Sequence, residues 1–159
     1  VLELPDEARQ DPIWTRSGGT DPGRDGCRVP LPWSGDEPPF GFSTGKSWLP
    51  APAEWASATV AAQARTEGSV LRTYRDALAL RRAHPALGDG ELEWLDAPEG
   101  VLVFRRGADF VCATNFGAEP VALDLPGGLL CRSDAATSWD GVLPGATTVW
   151  LGRINQESA

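Results

Sequence analysis

The 159-residue sequence has no methionine, one histidine and one tyrosine, and its 14 lysines and arginines are outnumbered by 22 aspartates and glutamates. Each shortage excludes something. A formal net charge of −8 leaves no cationic surplus to displace phosphate counterions, so nucleic acid is not an expected partner. The same balance argues against docking on an anionic membrane surface. No apolar run approaches the length of a spanning helix, and the opening VLELPDEARQ lacks a signal peptide's basic-then-apolar order. Cys27, Cys112 and Cys131 are odd in number and show no CxxC spacing. They indicate reduced thiols in a cytoplasmic protein, with no metal site and no disulfide framework. No cofactor motif is present either: FSTGKSW carries Gly-Lys-Ser but lacks the first glycine of a phosphate loop at the required distance. The missing methionine, with a start at Val1 inside a Leu-Pro-Asp-Glu run, leads us to expect a piece of a longer polypeptide.

What is present falls into three textures. Residues 1 to about 52 hold nine of the 14 prolines and show no period of 2 or 3.6. An irregular stretch of that length is usually functional when ordered. A helix is then predicted over roughly 69–84, with Ser69 as N-cap and Leu71, Tyr74 and Leu78 on one face beside Ala77. Arg81, Arg82 and His84 crowd its last turn, where cations complement the dipole, and Pro85 stops it. From about Asp89 the period becomes 2. VLVFRR sets Leu102 and Phe104 against Val101 and Val103, and DFVCATNF sets Phe110, Cys112, Thr114 and Phe116 against Val111, Ala113 and Asn115. PVALDL and TTVWL continue the series, with Pro/Gly/Asp turns between, which predicts an antiparallel sandwich or barrel. The tail GRINQESA is polar and expected to fray.

Candidate chemistry is sparse. Asp6, Glu7, Asp11, Asp21 and Asp25 all lie in the irregular zone, but nothing in the sequence pairs two of them as a glycosidase acid and base. Surface or salt-bridge roles are expected for them, and no catalytic residue is assigned. His84, the single histidine, is expected to serve helix capping rather than a nucleophilic triad. Of the seven tryptophans, Trp14, Trp33, Trp48 and Trp55 lie in the first 55 residues. That density suits sugar stacking, but also the pinning of a loop-rich segment by burial. Trp94, Trp139 and Trp150 are expected to pack in or beside the β-domain core. The remaining candidate is GRDGCRVPLPW. Its arginines offer planar forks of donors, Pro30 and Pro32 stiffen the chain, and Gly23 and Gly26 let it bend. On its residues alone it is either a sugar-facing wall or an Arg–Asp structural knot.

At these residues a resemblance appears. ARQDPIWTRSGGTDPGRDGCRVPLPWSG, then FGFSTGKSWLP, then VAAQARTEGSVLRTYRDALALRRAHPAL resemble the C-terminal portion of bacterial α-glucosidases in glycoside hydrolase family 13, the α-amylase family, oligo-1,6-glucosidase branch. The likeness runs over essentially the whole chain, with Arg24, Asp25, Arg28, Pro30 and Trp33 as its core motif. It implies an α+β fragment: the end of a (β/α)8 barrel (long loop plus last helix) over 1–85, an antiparallel β-sandwich over 86–152, and a tail over 153–159. It implies that the catalytic aspartate, the glutamate acid/base and the stabilising aspartate of a retaining mechanism lie upstream of Val1. Arg24 then matches an arginine lining the glucose pocket and Arg28 a second one toward the acceptor side, with Asp25 and Trp33 ordering the loop. The implied ligand is an α-glucosidic oligosaccharide, bound together with the missing barrel, and no metal or cofactor is implied. The chain alone is expected to be inactive, and residues 1–66, deprived of barrel partners, to be disordered or loosely wrapped. The alternative is a stand-alone carbohydrate-binding or interaction module built on the sandwich.

Overall fold

The computed structural model describes residues 3–134 and 136–153. They form two compact units that divide at Thr66/Glu67. The polar tail expected to fray lies, from residue 154 onward, outside the described residues.

The first unit is mostly turns, with two short helices, α1 (Pro12–Arg16) and α2 (Val60–Arg65). Both begin as their sequences dictate. Asp11 caps α1, its side chain accepting from the Ile13 N–H, and Pro12 occupies the first turn, where no N–H is needed. Thr59 caps α2 by accepting from the Ala62 N–H. Instead of the loose wrapping expected, residues 3–66 belong to a compact unit, and Leu4, Phe40 and Leu49 in it are buried. Backbone bonds close the rest. The N–H groups of Trp33 and Ser34 both donate to the Phe40 carbonyl, at 2.8 and 2.9 Å. Those of Val60 and Ala61, at the start of α2, donate to the carbonyls of Pro32 and Trp33.

The second unit opens with α3 (Val70–Ala83). The predicted cap is present, with the Ser69 hydroxyl accepting from the Arg72 N–H, and Arg81 and Arg82 fall in the last turn before Pro85. The packed face matches the expected one only in part. Leu71 and Ala77 are half-buried as expected, together with Thr73 and Leu80, His84 is buried, and α3 packs on the fifth strand, whereas Tyr74 is 67% exposed and Val70 and Leu78 also face solvent. Both stripes have helical spacing, so periodicity alone does not choose between them.

Among the described residues seven strands follow: β1 (Leu92–Leu95), β2 (Val101–Arg106), β3 (Phe110–Asn115), β4 (Val121–Ala122), β5 (Gly128–Arg132), β6 (Val142–Leu143) and β7 (Thr147–Gly152). They make an antiparallel five-stranded sheet, order β1-β2-β3-β7-β5, and a two-stranded sheet, β4-β6. The register Val103↔Ala113↔Val149 puts these three residues in line, and Val103, Val111, Ala113, Leu143, Val149 and Leu151 form the core. Asn115 ties β3 to the smaller sheet. Its amide donates to the carbonyls of Glu119 and Leu143 and accepts from Gly117 N–H, so every bond its burial demands is made. The opposite face carries Trp94↔Phe104↔Cys112↔Trp150. Trp139 packs against the core as expected, but Trp94 on edge strand β1 is 64% exposed. No helix among the described residues is long and apolar enough to cross a membrane.

Candidate functional site

The arginine turn is held by two aspartates that exchange bonds across 14 residues of chain. The Asp25 side chain is fully buried. Its Oδ2 accepts the backbone N–H groups of Gln10 and Asp11 at 2.6 and 2.7 Å. In return, Asp11 Oδ2 accepts the Arg24 N–H at 3.1 Å while Oδ1 caps α1 through Ile13 N–H. Arg28 joins both carboxylates through one nitrogen, Nη1 lying 3.3 Å from Asp11 Oδ2 and 3.5 Å from Asp25 Oδ1. The rest of its guanidinium fork takes no part in either contact, and the side chain is half exposed. Arg24 is exposed.

The electrostatics follow from these donors. The backbone N–H groups of Ile13 and Arg24, and then the charges of Arg28 and Arg24, hold the Asp11 carboxyl below its ordinary 3.8. Asp11 is therefore a carboxylate at neutral pH, with the Arg28 guanidinium against it. Gly23 makes the approach possible. Its φ is +63°, and a Cβ there would lie 2.8 Å from both Asp11 Cβ and Ile13 Cγ2. No other residue combines that conformation with that contact.

Each sequence-predicted residue can now be placed. Arg24, Asp25 and Arg28 are adjacent, on and after a 3-10 turn over Asp25–Cys27. Trp33 lies further along; it is 49% exposed, and its backbone N–H donates to the Phe40 carbonyl while its carbonyl accepts the Ala61 N–H. Asp11 was visible in the sequence only as one of several unpaired carboxylates. The local signal was Asp followed by Pro, an N-cap pattern, which says nothing of Arg24 or Arg28. Trp48 is exposed at a hollow of about 580 Å³ lined by Pro5, Pro38, Pro39, Lys46 and Pro50. His84 ends α3 through its backbone, which donates to the Leu80 carbonyl. Its ring is buried rather than turned to the dipole, and meets the edge of Phe110 at a centroid distance of 5.6 Å. Among the described residues no group of three metal-ligating side chains converges.

Over residues 5–90 the sequence matches the alpha-amylase family, described as the alpha amylase catalytic domain. That span exceeds half of the 159 residues, and the chain belongs to this family. Its fold is accordingly the end of a (β/α)8 barrel, loop and last helix, followed by an antiparallel β-sandwich. Particular relatives agree. A probable alpha-glucosidase of Rhizobium meliloti (strain 1021) is 39% identical over 127 residues, covering 78% of this chain and 23% of the relative. The salivary alpha-glucosidase of Aedes aegypti is 35% identical over 107 residues, covering 64% of this chain and 18% of the relative. Among solved structures, the alpha-glucosyl transfer enzyme XgtA superposes with a TM-score of 0.71 at 37% identity, covering 95% of this chain and 30% of that one. A mutant of the trehalulose synthase MutB superposes with a TM-score of 0.64 at 26% identity, covering 82% and 26%. The chain therefore spans about a quarter of the length of these relatives.

Proposed function

We propose that this chain is the C-terminal part of a retaining α-glucosidase that removes terminal glucose from maltose- or isomaltose-type oligosaccharides. The observation that carries the reading is the family match over the same residues that hold the doubly clamped arginine turn. Arg24 presents its guanidinium to the hydroxyls of the non-reducing glucose, and Arg28 presents the unused part of its fork toward the acceptor side. Asp25 and the backbone of Trp33 hold the loop that carries them. The carboxylates that attack the anomeric carbon and protonate the leaving oxygen belong to the part of the barrel outside this chain, which is inactive by itself. Residues 1–85 complete the barrel, 86–152 form the appended sandwich, and 153–159 are a tail; the extent of the family match, to residue 90, supports assigning α3 to the barrel. Three free cysteines support a cytoplasmic setting.

The test has two arms. The purified chain, offered p-nitrophenyl α-glucoside and maltose, shows no turnover; activity that survives purification and is lost on changing a carboxylate within 1–159 overturns the assignment of catalysis to upstream residues. In the longer polypeptide carrying the barrel, Arg24→Ala lowers kcat/KM by about 10- to 100-fold, the range for losing one or two charge-assisted hydrogen bonds. A smaller than twofold effect removes Arg24 from the pocket. The exposed indole of Trp94 favours a second reading, a sandwich that binds sugar by stacking. Saturable maltose-induced fluorescence change in residues 86–159 alone, abolished by Trp94→Ala, would select that reading.

A further inference from the structure

We propose that Asp11 is a positioning residue for the sugar site: its carboxylate sets the direction in which Arg24 and Arg28 are presented. This rests on the reading of the arginine turn as an α-glucoside-facing wall. Asp11 reaches the two arginines in two different ways, through the backbone N–H of Arg24 at 3.1 Å and the guanidinium of Arg28 at 3.3 Å. Both contacts fall on the same atom, Oδ2, while Oδ1 is committed to the Ile13 N–H. One side chain thus fixes where the main chain enters the turn and where the second guanidinium lies.

The two aspartates divide the work. Asp25 is buried and takes the backbone N–H groups of Gln10 and Asp11, so it fastens the two segments together. Asp11 lies at the rim of the same knot and bonds both to the main chain of Arg24 and, closer than Asp25 does, to the guanidinium of Arg28. The absence of a side chain at Gly23 lets the turn come this close, since a Cβ there would lie 2.8 Å from Asp11 Cβ. Donors held in advance at fixed positions lose less on binding than donors on a mobile loop. An isosteric amide at position 11 separates direction from fold. Asp11→Asn keeps one oxygen, enough to cap α1, but turns an NH₂ toward the Arg24 N–H and Arg28 Nη1, where attraction becomes repulsion.

The experiment is a double-mutant cycle in the longer polypeptide carrying the barrel, read together with amide exchange on the 159-residue chain. Asp11→Asn is expected to lower kcat/KM for p-nitrophenyl α-glucoside about tenfold on its own, and less than twofold in an Arg24→Ala/Arg28→Ala background. In the chain itself, Asp11→Asn speeds exchange of the Arg24 amide at least tenfold, while the Asp25-bonded amides of Gln10 and Asp11 keep their protection. A tenfold loss that persists unchanged when both arginines are alanine overturns the inference, because Asp11 then acts by another route. No loss on Asp11→Asn in the wild-type background, or an Arg24 amide as protected as before, also overturns it. The failure of the underlying site reading looks different: Arg24→Ala and Arg28→Ala would leave kcat/KM intact, while the exchange of the Arg24 amide would still report whether the carboxylate orders the turn.

Discussion

Removing the buried carboxylate of Asp25 tests the physical basis of the site. Its Oδ2 accepts two backbone N–H groups at 2.6 and 2.7 Å, at or just below the short end of charge-assisted N–H bonds. Hydrogen bonds to a charged acceptor contribute about 1.5–3 kcal/mol each. The Arg28 contact at 3.5 Å reaches a half-exposed guanidinium, and pairs of that kind contribute about 1 kcal/mol at most. Against this stands the desolvation cost of the carboxylate, which alanine relieves. The balance for breaking one side of such a buried network is about 3–5 kcal/mol. Asp25→Ala is therefore expected to destabilise the first unit by about 3–5 kcal/mol. Asp25→Asn, which keeps the volume and one acceptor, is expected to cost about 1.5–3 kcal/mol. Domains of this size have only about 5–15 kcal/mol to lose, so the alanine variant should lose a large fraction of the stability of residues 3–66 while the sandwich keeps its own. Peptide-resolved hydrogen exchange separates the two units, and urea unfolding followed by tryptophan fluorescence supplies the free energy. A loss below about 0.5 kcal/mol for Asp25→Asn, with the Gln10 and Asp11 amides still protected, would refute the claim that this carboxylate fastens the turn.

Three other outcomes follow from the geometry. Gly23→Ala introduces a positive-φ alanine, strained by about 1–3 kcal/mol, and a Cβ that meets Asp11 and Ile13 at 2.8 Å; it should loosen the arginine turn and speed exchange of the Arg24 amide, and unchanged exchange would contradict the contact. Thiol labelling of the native chain at pH 8, read by mass spectrometry, should modify exposed Cys27 first. Half-buried Cys131 follows, raised above its ordinary value by burial and then by the charge of Asp76, and Cys112 comes last, pushed to about 11 by burial. Because the folded Cys112 thiol is raised above its ordinary 9.0, its contribution to stability is intact below that value and is lost as pH rises through about 11. Asp134 runs the other way. Its bond to Arg132, then a backbone bond from Ala136 and the Arg132 charge, hold it below 3.8 against partial desolvation; the stability it contributes is present above that value and lost as pH falls through the lowered one. A denaturation midpoint that does not fall between pH 4 and 2 in the wild type more than in Asp134→Asn would refute that assignment.

The sequence by itself determined the local facts. Ser69 and Pro85 bracket α3 because a cap and a ring without an N–H act on their immediate neighbours. The alternation in VLVFRR and DFVCATNF determined how the residues of β2 and β3 divide between two faces, since a strand has only two, and packing decided which face meets Leu143, Val149 and Leu151. The motif from Arg24 to Trp33, with the segments on either side in the family's order, pointed to the family that the comparison then showed. Strands β1, β5 and β6 escaped notice because they are short, or edge strands, or bulged as β5 is between Leu129 and Cys131, and so carry little alternation of their own. Tertiary structure alone chose the Thr73–His84 face of α3 over the Tyr74 face, because both have the same spacing and only the strand beneath distinguishes them. It alone paired Asp11 with the arginine turn. That contact is made by residues 13 and 17 positions apart, and nothing in either segment encodes the approach until the chain folds and the buried Asp25 draws Gln10 and Asp11 to it.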